Sequence, residues 1–435
     1  MTWISQLIFV IILITVGYFL TRRFRFIRSN ILLGKPTDRS DNSGQRWKQM
    51  LLVAFGQKKM FKKPIPAFLH LLIYVGFLII NLEVLEFVLD GLFGTHRMFA
   101  PYLGDFYNIL MNAFEFLAFG VLISCFAFLI RRNILKVGRF DKPEMKGWPA
   151  LDGNLILFIE IALMMAILKM NAADQILQAR NIEGYLNIGT LWLSSSLIPL
   201  FQSYSTEFLI VIERGAWWFH IIGILAFAVY ITYSKHLHIF LAFPNTYYSN
   251  LNPKGKISNM ESVTTEVKLM LGLPVEAPIE GQEVARFGAK DANDLTWKSL
   301  MESYSCTECG RCTAECPANL TGKVLSPRKI MMDTRDRIEE IGYGKGEGKS
   351  LLGDYVTKEE INACTSCNAC TEACPINIDP LAIILEMKRY VAMEESGSPA
   401  SWNAMFSNVE TNFAPWKFSP ADRYNWSQKF NESKD

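Results

Sequence analysis

The stretches CTECGRCTAECP (residues 306–317) and CTSCNACTEACP (residues 364–375) determine how the rest of the chain is interpreted. Each follows the pattern C-x-x-C-x-x-C-x-x-x-C-P, which is typical of proteins that hold two [4Fe–4S] clusters. In this pattern the three closely spaced cysteines bind one cluster, and the cysteine before proline binds the other. The spacing therefore predicts two ligand sets: Cys306, Cys309, Cys312 and Cys374 for the first cluster, and Cys364, Cys367, Cys370 and Cys316 for the second.

Zinc sites and disulfide bonds explain this pattern less well. Structural zinc usually takes four ligands from two separated C-x-x-C pairs, which leaves the third cysteine of each run without a role. Disulfide bonds would need an oxidising compartment. The ninth cysteine, Cys125, lies in an apolar stretch and is expected to be a small core residue.

The first 245 residues are expected to form a membrane domain. Half of the chain is hydrophobic, and five apolar stretches are long enough to cross a bilayer as helices. They cover about residues 3–20, 65–89, 109–130, 151–168 and 216–240. The first lacks a basic start and a small-residue cleavage site, so we expect an anchor and not a signal peptide. Residues 185–208 are apolar but interrupted by serines and Pro199, which predicts an interfacial or re-entrant segment.

The distribution of basic residues predicts the orientation of these spans. Residues 22–63 contain twelve Lys or Arg and residues 131–146 contain six, whereas Arg97 and Arg180 stand almost alone in the other two loops. The positive-inside rule then puts the N-terminus outside and the C-terminus in the cytoplasm. We expect the membrane to be a bacterial inner membrane. The cysteine runs would lie in the cytoplasm, where thiolates persist.

The second half of the chain is expected to be a helical iron–sulfur domain. Residues 246–291, rich in Asn, Pro, Gly and Ser, predict a linker with a short helix near residues 261–271. Within residues 292–396, Ser326 before Pro327 predicts a helix start, Thr357 with Glu360 predicts a capping box, and Asp379 opens another helix. The glycine-rich GYGKGEGKS (residues 342–350) has tyrosine where a phosphate-binding loop needs glycine, so we expect a loop without nucleotide.

All five histidines lie in or beside the expected membrane domain, and histidine is a common haem ligand. His70 opens the second span and His238 closes the fifth, at the same predicted depth. His220 is 18 residues before His238, five turns on one continuous helix, so both would share a face while His236 points away. This predicts a haem b held by His70 and His238, and a second held by His220 and His96. The alternative is that these histidines are interfacial or satisfied polar residues.

Acidic residues inside the expected spans have no single interpretation. They could serve a proton path or a quinone site, or they could bond between helices. The four residues are Glu83, Glu86, Glu115 and Glu160.

Two stretches carry a family resemblance: WWFHIIGILAFAVYITYSKHLHIF (residues 217–240) and FGAKDANDLTWKSLMESYSCTECGRC (residues 287–312). With them, most of the chain resembles the fused membrane and iron–sulfur subunits of the heterodisulfide-reductase-like family, which includes electron-transfer-flavoprotein:menaquinone oxidoreductases. The five-span part is similar to the nitrate reductase gamma subunit, a dihaem cytochrome b with haem ligands at positions like His70, His220 and His238. The resemblance implies an all-α chain: a five-span bundle with haem, joined to a mostly helical domain with two [4Fe–4S] clusters.

Two departures from the family pattern affect the expected cofactors and partners. The gamma subunit has a second histidine within its second span, where this chain has Ile80 and Asn81. Longer family members also carry a cysteine-rich domain of the CCG type, whereas no cysteine follows Cys374 here. The resemblance therefore implies a separate partner, either a cysteine-rich iron–sulfur protein of this type or an electron-transfer flavoprotein.

Together these features predict a membrane-bound electron-transfer subunit of an oxidoreductase that exchanges electrons with a cytoplasmic partner. The resemblance implies that its membrane substrate is a quinone, such as menaquinone. No nucleophile–base constellation or flavin-binding glycine motif is visible, and nothing points to nucleic acid. One alternative is a haem-free, membrane-anchored iron–sulfur scaffold or sensor. Another is a coupling subunit of an ion-translocating complex.

The final segment, residues 397–435, is expected to be a tail that docks a partner. Its stretch NVETNFAPWKFSPADRYNW (residues 408–426) is too polar to cross a membrane and has no helical period through residues 412–415. Its aromatic residues either fold back on the iron–sulfur domain or serve as anchors in an interface. They are Phe413, Trp416, Phe418, Tyr424 and Trp426.

Overall fold

The computed structural model describes residues 2–275 and 286–432. The centre of the expected linker (residues 276–285) and the last three residues of the expected tail lie outside the described residues. Within the described residues the structure is mostly helical and contains no extended strand, only two isolated bridges. This agrees with the all-α class that the sequence predicts.

Twenty α-helices follow one another along the described chain. The first ten are α1 (Trp3–Ile31), α2 (Ser43–Met50), α3 (Pro64–Phe93), α4 (Ala100–Leu103), α5 (Asp105–Leu129), α6 (Trp148–Ala179), α7 (Trp192–Ser195), α8 (Ile198–Phe201), α9 (Thr206–Ile231) and α10 (His238–Tyr247). The second ten are α11 (Glu261–Met270), α12 (Trp297–Ser305), α13 (Arg311–Ala314), α14 (Pro317–Leu320), α15 (Pro327–Gly342), α16 (Lys358–Asn362), α17 (Ala369–Ala373), α18 (Pro380–Met393), α19 (Ala400–Asn412) and α20 (Asn425–Glu432).

Five of these helices, α1, α3, α5, α6 and α9, are long and apolar enough to cross a membrane. α6 packs along α5 and α9, α3 packs along α5, and α1 contacts α3 and α9. Phe9, Phe87, Trp217 and Ile221 lie in the core that these helices share. The number of such helices agrees with the prediction, although α1 and α6 extend about a dozen residues beyond the predicted stretches.

The fifth span differs from the prediction of one helix over residues 216–240. α9 ends at Ile231, and the chain turns through a short 3₁₀ segment, Lys235–Leu237, into α10. Asp152 on α6 fixes this turn, because it accepts hydrogen bonds from Ser234 Oγ (2.7 Å) and the Lys235 backbone N–H (3.2 Å). Helix ends need such partners for their free backbone groups. His220 and His238 therefore do not share one continuous helix, and the argument from their helical phase is wrong.

The segment 185–208 does not cross the bundle. It forms α7 and α8, which both pack against α6. The Glu115 carboxylate on α5 accepts hydrogen bonds from the backbone N–H groups of Leu193 (3.1 Å) and Ser194 (3.2 Å) at the start of α7. This agrees with the expected short segment that leaves the number of spans at five.

The iron–sulfur half of the chain packs against one end of the bundle. Its core, built around Leu300 and Ile330, also contains Ile27 from α1 and Leu237 from the turn after α9. The contacts include both basic loops: Arg328 donates to the Arg139 backbone oxygen (2.6 Å), and Lys59 Nζ donates to Asn377 Oδ1 (2.9 Å). The domain therefore lies on the same side of the bundle as the two loops with the most Lys and Arg.

Local capping signals in the sequence are confirmed. Ser326 accepts a hydrogen bond from the Lys329 N–H at the start of α15. Thr357 and Glu360 form the predicted capping box of α16. The expected helix in the linker is α11.

The C-terminal tail is more helical than predicted. α19 extends through Asn412, and the chain becomes irregular only from Phe413, which adopts a left-handed backbone conformation. The predicted aromatic residues of the tail are all exposed, so the described tail is not folded back on the iron–sulfur domain.

Candidate functional site

The first cavity lies between the two cysteine runs and has a volume of about 380 Å³. Cys306, Cys309 and Cys312 of the first run line it together with Cys374 of the second run. The remaining wall is largely apolar and includes Met331 and Ile378. The structure therefore brings the predicted first ligand set together around one space.

The second cavity, of about 310 Å³, has the reciprocal composition. Cys364, Cys367 and Cys370 come from the second run, and Cys316 comes from the first. The short helices α13 and α17, which carry the third cysteine of each run, pack against each other. This contact places each fourth cysteine beside the other run's cavity, as the spacing predicts.

The loops around both cavities have matching backbone conformations. Glu308 and Ser366, two residues after the first cysteine of each run, both have positive φ, at 54° and 55°. Each donates its backbone N–H to that cysteine: Glu308 to Cys306 Sγ (3.4 Å) and Ser366 to Cys364 Sγ (3.4 Å). Such hydrogen bonds stabilise negative charge on sulfur. The two runs are therefore a structural repeat as well as a sequence repeat.

The chemistry of the cysteines fits an iron–sulfur cluster. Burial raises the pKa of Cys306, Cys370 and Cys374 to about 12, so their thiolates need a nearby cation. Among the described residues, no group of three or more His, Cys, Asp or Glu side chains is arranged for a single metal ion. The cysteines instead line two separate cavities, four cysteines to each.

His70 and His238 lie beside each other, at the end of the bundle nearest the iron–sulfur domain. Their ring centroids are 6.5 Å apart and the rings are tilted by 40°. Metal–imidazole bonds are about 2 Å, so two rings on opposite sides of one metal have centroids roughly 6 Å apart. Nδ1 of His70 lies 3.2 Å from Gln57 Oε1, and Nδ1 of His238 lies 3.2 Å from the Lys235 backbone oxygen. These partners leave Nε2 of each ring available, which fits the usual environment of a metal-binding histidine.

The structure does not bring His96 to His220. His96 Nε2 lies 3.6 Å from Glu213 Oε1 and 3.7 Å from Asp174 Oδ1. Glu213 is seven residues before His220 on α9, which is about 10 Å along the helix. His220 lies near the middle of its span, fourteen residues after the start of α9. The expected pairing fails because carboxylates from α6 and α9 hold the His96 loop near the end of the bundle.

His220 is nevertheless unusual. It is fully buried, its Nδ1 lies 3.0 Å from the Leu163 backbone oxygen, and its Nε2 has no hydrogen-bond partner among the described residues. An unpartnered polar atom in an apolar core costs free energy. His236, which was expected to point away from the haem face, lies against both Phe227 and His238, with its ring centroid 5.3 Å from that of His238.

Two of the four acidic residues in the spans, Glu86 and Glu115, form hydrogen bonds between elements. Glu86 Oε2 accepts a hydrogen bond from Tyr107 OH (2.7 Å), and Glu115 Oε1 accepts one from Asn171 Nδ2 (3.0 Å). Arg97 from the loop after α3 lies at the centre of this network, with its Nε 2.6 Å from Asp174 Oδ2. Burial lowers the pKa of Arg97 but Asp174 outweighs it, so that the pKa is well above the ordinary arginine value. The other two acids are buried or half-buried: Glu83 and Glu160.

Lys235 and Glu308 connect the His70–His238 pair with the first cavity, and neither residue is among the predicted site residues. Glu308 accepts hydrogen bonds from Lys235 Nζ and Arg335 NH2. Its backbone N–H donates to Cys306 Sγ, while the Lys235 backbone oxygen lies beside His238. Burial raises the pKa of Glu308, but Arg335 and Lys235 outweigh it and hold the pKa below its ordinary value. The sequence signal for these two residues was their charge, since Lys235 follows an apolar span and Glu308 lies inside the first cysteine run.

Comparison with known proteins supports the interpretation of the cysteine runs. Residues 305–378 match the model of the 4Fe-4S dicluster domain. The chain is 26% identical, over 97% of its length, to the "Probable iron-sulfur-binding oxidoreductase FadF" of Bacillus subtilis. It is 27% identical, again over 97% of its length, to the "EtfAB:quinone oxidoreductase" of Syntrophomonas wolfei.

These two relatives are longer, and the chain spans 60% and 59% of their lengths. A third relative, the "Probable membrane-anchored ferredoxin" of Chromohalobacter salexigens, is 31% identical over 33% of this chain and 24% of its own length. No solved structure matches. The family model and the two reciprocal cysteine-lined cavities together show that residues 305–378 form a 4Fe-4S dicluster domain.

Proposed function

We propose that this chain passes electrons between a soluble redox partner and a membrane quinone, using two [4Fe–4S] clusters and haem b. Cys306, Cys309, Cys312 and Cys374 hold the first cluster, and Cys364, Cys367, Cys370 and Cys316 hold the second. His70 and His238 hold the haem. These groups supply one-electron chemistry when bound.

The observation that supports this function best is the sequence of contacts from the protein surface to the bundle. Cys367 is exposed and lines the second cavity. The first cavity is adjacent to the second, because each cavity is lined by three cysteines of one run and one cysteine of the other. Glu308 and Lys235 then join Cys306 to His238. The redox groups that these residues would hold therefore form one series that leads into the membrane-spanning helices.

The residues of the chain have distinct tasks in this series. Gln57 and the Lys235 backbone oxygen orient the two imidazole rings, each through its Nδ1. Backbone N–H groups of Glu308 and Ser366 stabilise charge on the cysteine sulfurs. Apolar side chains in both cavity walls, such as Met331 and Ile384, reduce contact with water, which strengthens these interactions.

The name of the Syntrophomonas relative supports quinone as the membrane substrate, with menaquinone as our specific proposal, and an electron-transfer flavoprotein as a partner. A cysteine-rich iron–sulfur protein of the CCG type is the other partner class, as the family resemblance implies. We also propose the topology that the basic loops favour: a bacterial inner-membrane protein with its N-terminus outside and its iron–sulfur domain in the cytoplasm.

The test uses the full chain in lipid nanodiscs, with wild type, His238→Ala and His96→Ala compared side by side. A pyridine-haemochrome spectrum measures haem b, and reduction of a menaquinone analogue by a small viologen reductant measures electron delivery. We expect His238→Ala to lose the haem and quinone reduction while keeping the iron–sulfur absorbance. His96→Ala is the matched control and should keep all three. A wild-type protein with clusters but without haem would instead favour the haem-free membrane-anchored scaffold.

A further inference from the structure

Cys367 marks the place where the second cavity opens to the surface. It is the exposed member of the nine cysteines, since the others are buried or half-buried. Thr365, which also lines the cavity, is exposed beside it. A cluster in this cavity would therefore be the redox group nearest to an approaching protein.

An apolar collar adjoins this opening. Leu320 is 69% exposed and Val324 is 53% exposed. Both belong to the turn between Ala318 and Leu325, which line the second cavity. Exposed apolar residues grouped at a functional opening are typical of an interaction surface.

Lysines form a rim around the same opening. Lys254 and Lys256 flank Gly255, where an added Cβ would lie 4.0 Å from the Asn368 side chain, next to Cys367. Lys62 and Lys254 both reach the single carboxylate of Glu372.

Two more lysines complete what we call the basic rim, the exposed Lys323 and the half-buried Lys63. Lys323 lies in the collar turn itself, and Lys63 pairs with Glu315. Together with the three lysines above, these make five, and the carboxylates that pair with them within the described residues are those of Glu315 and Glu372. The rim is therefore positively charged around an apolar centre.

We propose that the collar and basic rim around Cys367 are the docking surface for an acidic soluble redox protein. This inference rests on the proposed function, since it assigns the place where electrons are exchanged with the soluble partner. A basic rim attracts an acidic partner and raises the association rate, while an apolar centre stabilises the complex after encounter. Lys62 and Lys63 immediately precede α3 and are close enough to the expected membrane to meet anionic lipid. Lys323, by contrast, lies within the iron–sulfur domain beside the cluster cavity.

The experiment measures electron transfer from a reduced acidic [2Fe–2S] ferredoxin to the full chain by stopped-flow spectroscopy, over a range of salt concentrations. The test variants are Lys256→Glu and Lys323→Glu, because neither substitution breaks an ion pair within the described part of the chain. The control is Lys345→Glu, the same charge change on the same domain. α15 begins at the second cavity and ends fifteen residues later near Lys345, which puts the control roughly 22 Å away.

We expect each test variant to lower the second-order rate constant by roughly 10-fold at low salt, with the difference shrinking at high salt. Lys345→Glu should behave as wild type, and a small viologen should reduce all four proteins equally. Equal ferredoxin rates for wild type and both test variants would overturn the proposal. So would an equal decrease in the control.

Two further arms separate the alternatives. If the test variants are slower only in nanodiscs that contain anionic lipid, the lysines bind lipid and the docking proposal is wrong. If viologen-reduced wild type fails to reduce quinone while the lysine effect persists, the docking surface is supported and the quinone part of the proposed function is wrong.

Discussion

Replacing Glu308 with glutamine tests whether its buried carboxylate acts electrostatically on a cluster in the first cavity. Glu308→Gln keeps the size of the side chain and the backbone N–H that donates to Cys306 Sγ (3.4 Å). It removes one negative charge that is almost fully buried, since the Glu308 side chain is 3% exposed. Because Arg335 and Lys235 hold the pKa of Glu308 below its ordinary value, the carboxylate is ionised at neutral pH and the whole charge is lost.

The first expected effect is on the reduction potential of the cluster in the first cavity. Reduction adds negative charge, which a nearby carboxylate opposes, so removing the carboxylate should raise the potential. A unit charge roughly 8 Å away, at an effective dielectric constant of about 20, contributes about 2 kcal/mol. For a one-electron couple this corresponds to about 90 mV. The two cations left behind, Lys235 and Arg335, act in the same direction.

The second expected effect is on stability. Removing one partner of a buried ion pair typically costs about 3–5 kcal/mol, since it leaves an unpaired buried charge. Here Lys235 keeps the Pro149 backbone oxygen at 2.6 Å and Asp152 at 3.8 Å, so we expect the lower end of that range. Because the lost contribution comes from a carboxylate with a depressed pKa, it is present at neutral pH and disappears as the pH falls through that pKa.

The assay is a redox titration of the purified chain, followed by electron paramagnetic resonance, with thermal loss of cluster absorbance as the stability measurement. Glu340→Gln is the matched control, because Glu340 pairs with Arg337 and Lys349 away from both cavities. The control should lose stability without a change in potential. An unchanged potential in Glu308→Gln with intact clusters, or an equal shift in the control, would refute an electrostatic effect of the Glu308 carboxylate on the first cluster.

Three further predictions concern the cysteines, the histidines and the tail. Because Cys316 lines the second cavity, Cys316→Ser should abolish the same paramagnetic signal as Cys367→Ser; loss of the other cluster's signal instead would reverse the assignment. Because His70 and His238 face each other, His70→Ala and His238→Ala should each remove the same haem from the pyridine-haemochrome spectrum, and two different losses would contradict a shared site. Because the aromatic residues of the tail are exposed, truncation after Ser398 should leave both clusters intact but lower co-purification of a cysteine-rich or flavoprotein partner by 10-fold or more, about 1.4 kcal/mol. Loss of cluster absorbance on truncation would show that the tail supports the iron–sulfur domain.

The predictable parts of this protein are those that depend on local spacing. The spacing within each cysteine run determines its loop geometry. The positions of Cys316 and Cys374, each directly before a proline, were therefore enough to predict the reciprocal cavities. Hydropathy identified five long apolar helices because each is apolar over most of its surface. The capping box of Thr357 and Glu360 needs only residues three apart.

The less predictable parts depend on contacts between distant segments. The predicted shared face of His220 and His238 depends on one unbroken helix. Hydropathy does not show that Asp152, about eighty residues earlier, accepts a hydrogen bond from Ser234 and stabilises a turn there. The expected pairing of His96 with His220 was wrong for the same reason. Asp174 and Glu213, which lie beside His96, come from two other helices. A carboxylate in an apolar span is a sequence signal that it has a partner, but it does not name the partner.

The break after α9 has a consequence for the whole candidate site. In a continuous helix the Lys235 backbone N–H would bond to the carbonyl four residues earlier and could not reach Asp152. In the observed turn the Lys235 backbone N–H donates to Asp152. The Lys235 backbone oxygen lies beside His238, and the Lys235 ammonium group donates to Glu308. One residue at the end of the fifth span therefore contacts the bundle, a candidate haem ligand and the first cysteine loop. The feature that invalidated the argument from helical phase is thus the feature that brings His238 close to the iron–sulfur domain.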